Sequence, residues 1–299
     1  MNSERCVLFS IIIPTYNRAD KIANAIDSVL QQTYPHYEIL IVDDGSTDNT
    51  DEVVSNYDDK RLKYFKKKNE ERSIARNFGV QHANGDYVNF LDSDDILYPN
   101  HLSLASKLFA NNSFPEIGHL GYEYINEDHQ TIRTVANLDD GVAEKLIHDN
   151  VLVCNGIFIR RDIAIQYPFI HDHRAVISED WYLWLVLTSR FRLYVENTIT
   201  SGVVEHDQRS LRDIHPDKLL ASTKLVIDHL SRDEVFMNKY KRKTSYFFSN
   251  MYTLVTLVLA LTSGRRQDVV RFLFVAIRID WKVIFRRRFL ASCKYLLFT

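Results

Sequence analysis

Two hydrophobic spacings alternate along the first ninety residues. Leu8–Ile13 is a continuous apolar run closed by Pro14, and Tyr37–Val42 is a second one closed by Asp43-Asp44-Gly45. Between them Ile22, Ala25, Ile26, Val29 and Leu30 recur at helical intervals, with Asn17 or Asp20 as the cap. A continuous run, a helical stripe and another continuous run predict a βαβ unit. The alternation goes on with a short helix over Thr47–Tyr57, a strand over Leu62–Phe65, a helix over Ser73–His82 stopped by Asn84-Gly85, and a strand over Tyr87–Leu91. Strands alternating with helices predict an α/β fold with a mainly parallel sheet, whose ligand lies beyond the carboxyl ends of the strands.

The run at Tyr87–Leu91 is apolar enough for a buried central strand, and its end delivers Asp92, Ser93, Asp94 and Asp95. Three carboxylates on four residues repel one another and add nothing to a core, so a positive partner is expected beside them. A hard divalent cation, Mg²⁺ or Mn²⁺, suits carboxylate oxygens and is usually shared with a substrate phosphate. The alternative is a solvated acidic turn that caps the helix beginning near Pro99.

The second half is less regular. Ile117–Tyr124, Thr131–Val135 and Gly156–Arg160 read as strands and Asp140–His148 and Ser178–Thr188 as helices. Phe191–Val195 and Thr198–Glu205 read as paired strands around Glu196-Asn197. From about Pro216 the pattern is wholly helical, with a turn at Ser263-Gly264. Phe247–Thr262 is the most apolar stretch, but Ser249, Asn250, Thr253 and Thr256 interrupt it and it falls short of the ~20 residues of a membrane span, so a buried helix is expected.

Composition narrows the class. At 299 residues and 45% apolar, the chain can bury a real core in one large domain or two modest ones. Lys plus Arg (37) and Asp plus Glu (39) nearly cancel, so no global field draws nucleic acid. Cys6, Cys154 and Cys293 are odd in number and scattered, which argues against a disulfide framework or structural zinc and fits a reducing compartment. An apolar run begins within six residues of Met1, too soon for a signal peptide, so a cytoplasmic location is expected.

Five short motifs occur in order: Pro14-Thr15-Tyr16-Asn17, Asp43-Asp44-Gly45-Ser46, Ala75-Arg76-Asn77, Asp92-Ser93-Asp94 and Ser178-Glu179-Asp180-Trp181. Together they resemble the family 2 glycosyltransferases of GT-A fold, over about Phe9 to Ser210. The resemblance implies a Rossmann-like α/β sheet flanked by helices over residues 1–215, a helical extension over 216–299, and inverting transfer from a nucleotide sugar. It implies that Pro14, Thr15 and Tyr16 line the base and ribose pocket, Tyr16 stacking on the base, while Asp44, with Asp43 beside it, accepts from the base. A carboxylate that accepts an imide N–H suits uracil or thymine, and a UDP-sugar donor is expected. Arg76 and Ser93 would contact the donor, the Arg fork suiting phosphate oxygens. Asp92 and Asp94 match the D-x-D metal ligands, with His206 reaching the same Mn²⁺ or Mg²⁺ or the diphosphate, and Asp95 stands behind them or caps a helix. Asp180 would be the general base for the acceptor hydroxyl, with Glu179 orienting acceptor or metal water. Arg160-Arg161 are candidates for acceptor or diphosphate contact.

The tail adds something the motifs do not. After Ser263, Arg265, Arg266, Arg271, Arg278, Lys282, Arg286, Arg287, Arg288 and Lys294 face only Asp268 and Asp280 and interleave with aromatic and aliphatic residues. A helix with Trp281, Phe285 and Phe289 at i, i+4 and i+8 would lie on an anionic membrane, or the tail would form a packed helical hairpin with its arginines in water. The reading is a metal-dependent glycosyltransferase acting on a glycan or lipid-linked acceptor in surface polysaccharide synthesis, at the inner face of the cell membrane. Two rivals remain: a sugar-phosphate nucleotidyltransferase, which should carry a glycine-rich loop where Pro14–Arg18 stands, and a noncatalytic nucleotide-sugar-binding module, which should have lost the carboxylates.

Overall fold

The computed structural model describes residues 6–135, 138–139, 141–175, 177–206, 216–262 and 266–298. The chain divides into two compact units. The first comprises Met1–Ala143, Val151–His173 and Phe191–Arg209, the second Glu144–Asn150, Arg174–Arg190 and Ser210–Thr299.

The first unit opens as the hydrophobic pattern predicts, with β1 (Phe9–Thr15), α1 (Ile22–Leu30), β2 (Tyr37–Asp43), α2 (Thr50–Ser55), β3 (Leu62–Lys66), α3 (Arg72–His82) and β4 (Tyr87–Phe90). β1, β2 and β4 are buried along their whole length, because each is covered on both faces. Ile22, Ala25, Ile26 and Val29 form the inward stripe of α1 and join Ile11, Ile13, Ile39 and Ile41 in one core. Neither Asn17 nor Asp20 caps α1: Lys21 holds the cap position, and Asn17, at φ 51°, accepts Thr47 N–H on its side-chain Oδ1 at 2.8 Å. The strands pair in parallel in the order β3-β2-β1-β4.

Beyond β4 the sheet becomes mixed. β5 (Ile96–Leu97), α4 (His101–Asn111), β6 (Ile117–Ile125), β7 (Thr131–Val135), the single turn α5 (Val142–Lys145), β8 (Ile157–Arg160) and α6 (Arg161–Gln166) follow. α7 (Glu179–Arg190) belongs to the second unit, and β9 (Leu193–Val204) returns to the first. β8 inserts antiparallel between β4 and β6, and β9 runs parallel to β6, giving the order β3-β2-β1-β4-β8-β6-β9-β5 with β7 on β6. Apolar runs do not encode direction. One buried polar side chain helps here: Asn89 of β4 donates to the carbonyls of Asn155 and Ile157 at 2.9 and 2.7 Å, seating β8 against it.

The strand pair expected on either side of Glu196-Asn197 is instead one continuous strand, β9. The register along β6 jumps from Leu120 opposite Glu196 to Gly121 opposite Ile199, so Asn197 and Thr198 bulge out of the ladder. Asn197 then exchanges two hydrogen bonds with the backbone of Leu138, which satisfies the bulge without a turn. The helix expected over Asp140–His148 shrinks to the single turn α5, and Asp140 lies outside the described residues.

The second unit is helical: α7, α8 (Pro216–Arg232), α9 (Glu234–Lys239), α10 (Thr244–Thr262), α11 (Arg266–Ile279) and α12 (Arg287–Phe298). Val255, Leu259, Val269, Phe272, Ala276 and Val283 form its core. α10 is long and apolar enough to cross a membrane by length and composition, yet half of Thr244–Leu261 is buried. Its Thr253 and Thr256 hydroxyls are buried and bond to carbonyls three residues back, so the helix carries its polar groups into a protein core.

The continuous helix expected through Trp281, Phe285 and Phe289 does not form. Asp280 accepts from Lys282 N–H and caps a 3₁₀ turn over Trp281–Phe285, and α12 starts afresh at Arg287. Phe289 turns into the core while Trp281 and Phe285 stay exposed. The turn expected at Ser263-Gly264, Arg265, and the stretch from Asp207 through Ser210 lie outside the described residues.

Candidate active site

The tips of β1 and β2 are stapled side by side. Asp43 is buried and holds its own turn: Oδ1 accepts from Ser46 N–H at 2.7 Å and Oδ2 from the Tyr64 hydroxyl at 2.5 Å. Burial and then this bond to Asp43 push the Tyr64 phenol up. Gly45 sits at φ 85°, and a Cβ there would lie 2.9 Å from Asn69 N, so only glycine lets the 67–70 segment close over the turn. That segment delivers Lys67, whose Nζ is 2.7 Å from Asp44 Oδ1, while Glu70 N–H reaches the same carboxylate at 3.1 Å. Burial alone would lower the Lys67 pKa, but the bonds to Asp44 and Glu70 outweigh it and hold the ammonium charged. Asp44 is thus a carboxylate with a fixed cation at its side.

Around this pair stand the other donor-pocket candidates. Pro14 is buried in β1 opposite Val42. Thr15 is buried too, and its hydroxyl has no partner among the described residues, so it can bond to a ligand at the strand tip. Tyr16 is exposed and available for stacking.

At the tip of β4 the carboxylates separate into three roles. Asp92 Oδ1 takes an ion pair from Arg76 Nη2 at 2.6 Å; that guanidinium is buried and lies 5.2 Å from the Phe169 ring centroid. Arg76 therefore faces Asp92. Asp94 Oδ2 lies 3.0 Å from His206 Nε2 and 4.0 Å from Arg18 Nε. Asp95 is buried and accepts Val204 N–H at 2.9 Å, locking the end of β9 two residues before His206. It caps no helix. Ser93 is buried between the two aspartates in the chain.

Among the described residues no group of three or more His, Cys, Asp and Glu is arranged to hold a metal by itself. The donor chemistry of Asp94 and His206 nonetheless suits a divalent cation. Two cis ligands of an octahedral ion with bonds of about 2.1 Å stand about 3.0 Å apart, and such ions complete their shell with substrate phosphate and water.

Glu179 and Asp180 lie in the second unit, at the first turn of α7. Ile177 is pinned in both directions by the Ser222 hydroxyl of α8, and Ser178 takes φ 61°, so the chain turns sharply into the helix. Glu179 is buried at the N-terminal turn of the helix. Asp180 accepts from Trp181 N–H at 2.7 Å and from Asn150 Nδ2 at 3.1 Å, which fixes the carboxylate plane. Arg160 pairs with Asp162 and Glu116 at the far end of β8, and these bonds are its partners.

Arg18 and Lys67 of the first unit and Asn150 of the second each contact a carboxylate within their own unit, and Asp95 locks a strand of the first. The first three carry no pattern of their own, since a single Arg, Lys or Asn in a loop matches thousands of solvated ones. Only the fold brings each to its carboxylate.

The model of the family described as Glycosyl transferase family 2 matches residues 10–180. An uncharacterized glycosyltransferase of Rickettsia felis is 30% identical over 295 residues, covering 87% of this chain and 48% of that protein. The chain spans about half the length of these curated rickettsial relatives. The Escherichia coli UDP-Glc:alpha-D-GlcNAc-diphosphoundecaprenol beta-1,3-glucosyltransferase WfgD is 34% identical over 60% of this chain and 68% of its own. The crystal structure of S. aureus TarS 1-349 in complex with UDP-GlcNAc superposes with a TM-score of 0.73 at 19% identity, covering 97% of this chain and 88% of that one. This last likeness bears on the fold, which is the expected α/β GT-A architecture with helices at its C-terminal end.

Proposed function

The chain belongs to glycosyl transferase family 2, and from that membership we propose that it transfers a sugar from a UDP-sugar to a glycan or lipid-linked acceptor, inverting the anomeric centre. The observation that carries this reading is the contact of Asp94 with His206, 112 residues away in sequence, at the tip of the central strand. It joins the D-x-D to the end of β9 beside an aspartate turn already furnished with a cation. The UDP-Glc donor and diphosphoundecaprenol acceptor in the name of WfgD support the same donor and acceptor classes here, and our reading puts the reaction at the cytoplasmic face of a membrane in polysaccharide synthesis.

In this mechanism Asp44 accepts the imide N–H of the base, Tyr16 stacks on it, and the Thr15 hydroxyl takes a further donor contact. Asp94 and His206, with Asp92 beside them, would hold Mg²⁺ or Mn²⁺, which supplies charge compensation for the departing diphosphate. Arg18 brings a fixed cation to the same place. Asp180 takes the proton of the acceptor hydroxyl as its oxygen bonds to the anomeric carbon; the bond from that carbon to the phosphate oxygen breaks, and UDP leaves. Asn150 keeps the Asp180 carboxylate aimed.

The test is turnover of a panel of nucleotide sugars, each with and without acceptor glycolipid. One UDP-sugar should be consumed, and Asp180→Asn should lower kcat by about 10²–10⁴ with donor affinity unchanged. Release of pyrophosphate from a sugar phosphate and UTP would make the chain a nucleotidyltransferase instead, and binding without turnover would make it a noncatalytic module.

A further inference from the structure

The outer faces of α11 and α12 carry the same pattern twice. In α11, Arg271, Phe274 and Arg278 stand at i, i+3 and i+7; in α12, Arg287, Leu290 and Lys294 repeat that spacing. Each triplet lies on one helix face, an apolar side chain with a cation a turn to either side. The opposite faces, with Phe272, Ala276, Phe289 and Ser292, are buried. Between the helices the 3₁₀ turn buries Val283 and exposes Trp281, Lys282 and Phe285, the two rings 6.2 Å apart edge to face. Phe274, Trp281, Phe285 and Leu290 are 61, 60, 71 and 55% exposed.

The folded unit sorts its basic residues. Arg286 is spent inside it, on Asp280, the Ser249 hydroxyl and the face of Tyr246, and Arg288 reaches Asp149 at 3.3 Å. Arg271, Arg278, Lys282, Arg287 and Lys294 have no carboxylate partner among the described residues.

We propose that this face docks on an anionic lipid bilayer, with Trp281 and Phe285 at its apex. A cation alone suits any polyanion. Apolar side chains bracketed by cations suit a surface whose negative charge forms a thin headgroup layer over hydrocarbon. The inference deepens the reading of a lipid-borne acceptor and rests on it for its purpose, but vesicle binding is read without donor or acceptor, so the two fail separately.

The chain carries its own probe. Of its three tryptophans Trp181 and Trp184 are buried, so a change in emission on adding vesicles reports Trp281. Vesicles of phosphatidylcholine mixed with phosphatidylglycerol should shift the emission to the blue and sediment the protein at low salt; pure phosphatidylcholine should do neither. Arg278→Glu and Lys282→Glu should each weaken binding about fivefold or more, and added salt should do the same. Trp281→Ala with Phe285→Ala should abolish sedimentation while leaving the melting temperature and UDP binding unchanged, since all four positions are exposed. An unshifted emission with anionic vesicles overturns the proposal. So does a dimer in sedimentation equilibrium that Trp281→Ala dissolves, which would give the face to a second copy.

Discussion

The strand tips of the first unit and the outer helices of the second both concentrate charge, and they treat it in opposite ways. At the tips each aspartate has an internal donor: Tyr64 for Asp43, Lys67 for Asp44, Arg76 for Asp92, His206 and Arg18 for Asp94, Val204 N–H for Asp95. On the helices five cations have no such counterpart among the described residues. The difference follows burial. A carboxylate withdrawn from water must be hydrogen-bonded or paired, or it takes up a proton; a cation on an exposed helix is solvated at little cost. Internal pairing fixes geometry in advance of a ligand. Unpaired surface charge stays available to one.

The largest break in this contrast comes from the tips. Asp94→Ala should cut transfer by several kcal/mol, about 10³-fold, and abolish the effect of Mn²⁺ on UDP affinity, as read by titration calorimetry with and without EDTA. Equal activity in EDTA would show that the Asp94–His206 pair is structural. Arg76→Met leaves Asp92 without its counter-charge and should lower unfolding free energy by about 3 kcal/mol, the lower end for a broken buried pair because Asp92 keeps access to water. Denaturant melts compare it with Arg278→Glu, which should be within about 0.5 kcal/mol of the parent.

A smaller effect should appear with acid. His101 and His119 are buried in the first unit; burial pushes both pKa values down to about 3, and His119 lowers that of His101 further. Between pH 6.5 and 3 the unfolded chain binds protons that the folded one refuses, so stability is complete above about pH 6.5 and falls as pH drops below it. The slope is about 1.4 kcal/mol per pH unit for each imidazole. The first unit should therefore melt earlier at pH 5 than at pH 7, and His101→Asn, which can keep the bond to Thr200, should roughly halve the slope. An unchanged slope in that variant would mean the acid response arises elsewhere.

Sequence alone determined the alternation of β1 through β4, because strands buried on both faces read as unbroken apolar runs and α1 as a 3.6-residue stripe. It also made Asp92 and Asp94 candidates, since an acidic cluster at the end of an apolar strand stands out, while Glu179 and Asp180 became candidates only through the resemblance of their motif. It could not tell direction or pairing beyond β4, where β8 enters antiparallel and β9 absorbs Asn197 as a bulge, because one residue's side-chain alternation looks alike in either direction. Nor could it separate the tail's arginines. Arg286 and Arg288 are adjacent in kind and place to Arg287, yet the packing of α10, α11 and α12 encloses one, pairs another and leaves the third in water. Those choices, like the meeting of Lys67 with Asp44 and of His206 with Asp94, depend on contacts between residues far apart in the chain, and only the folded chain brings their atoms within reach.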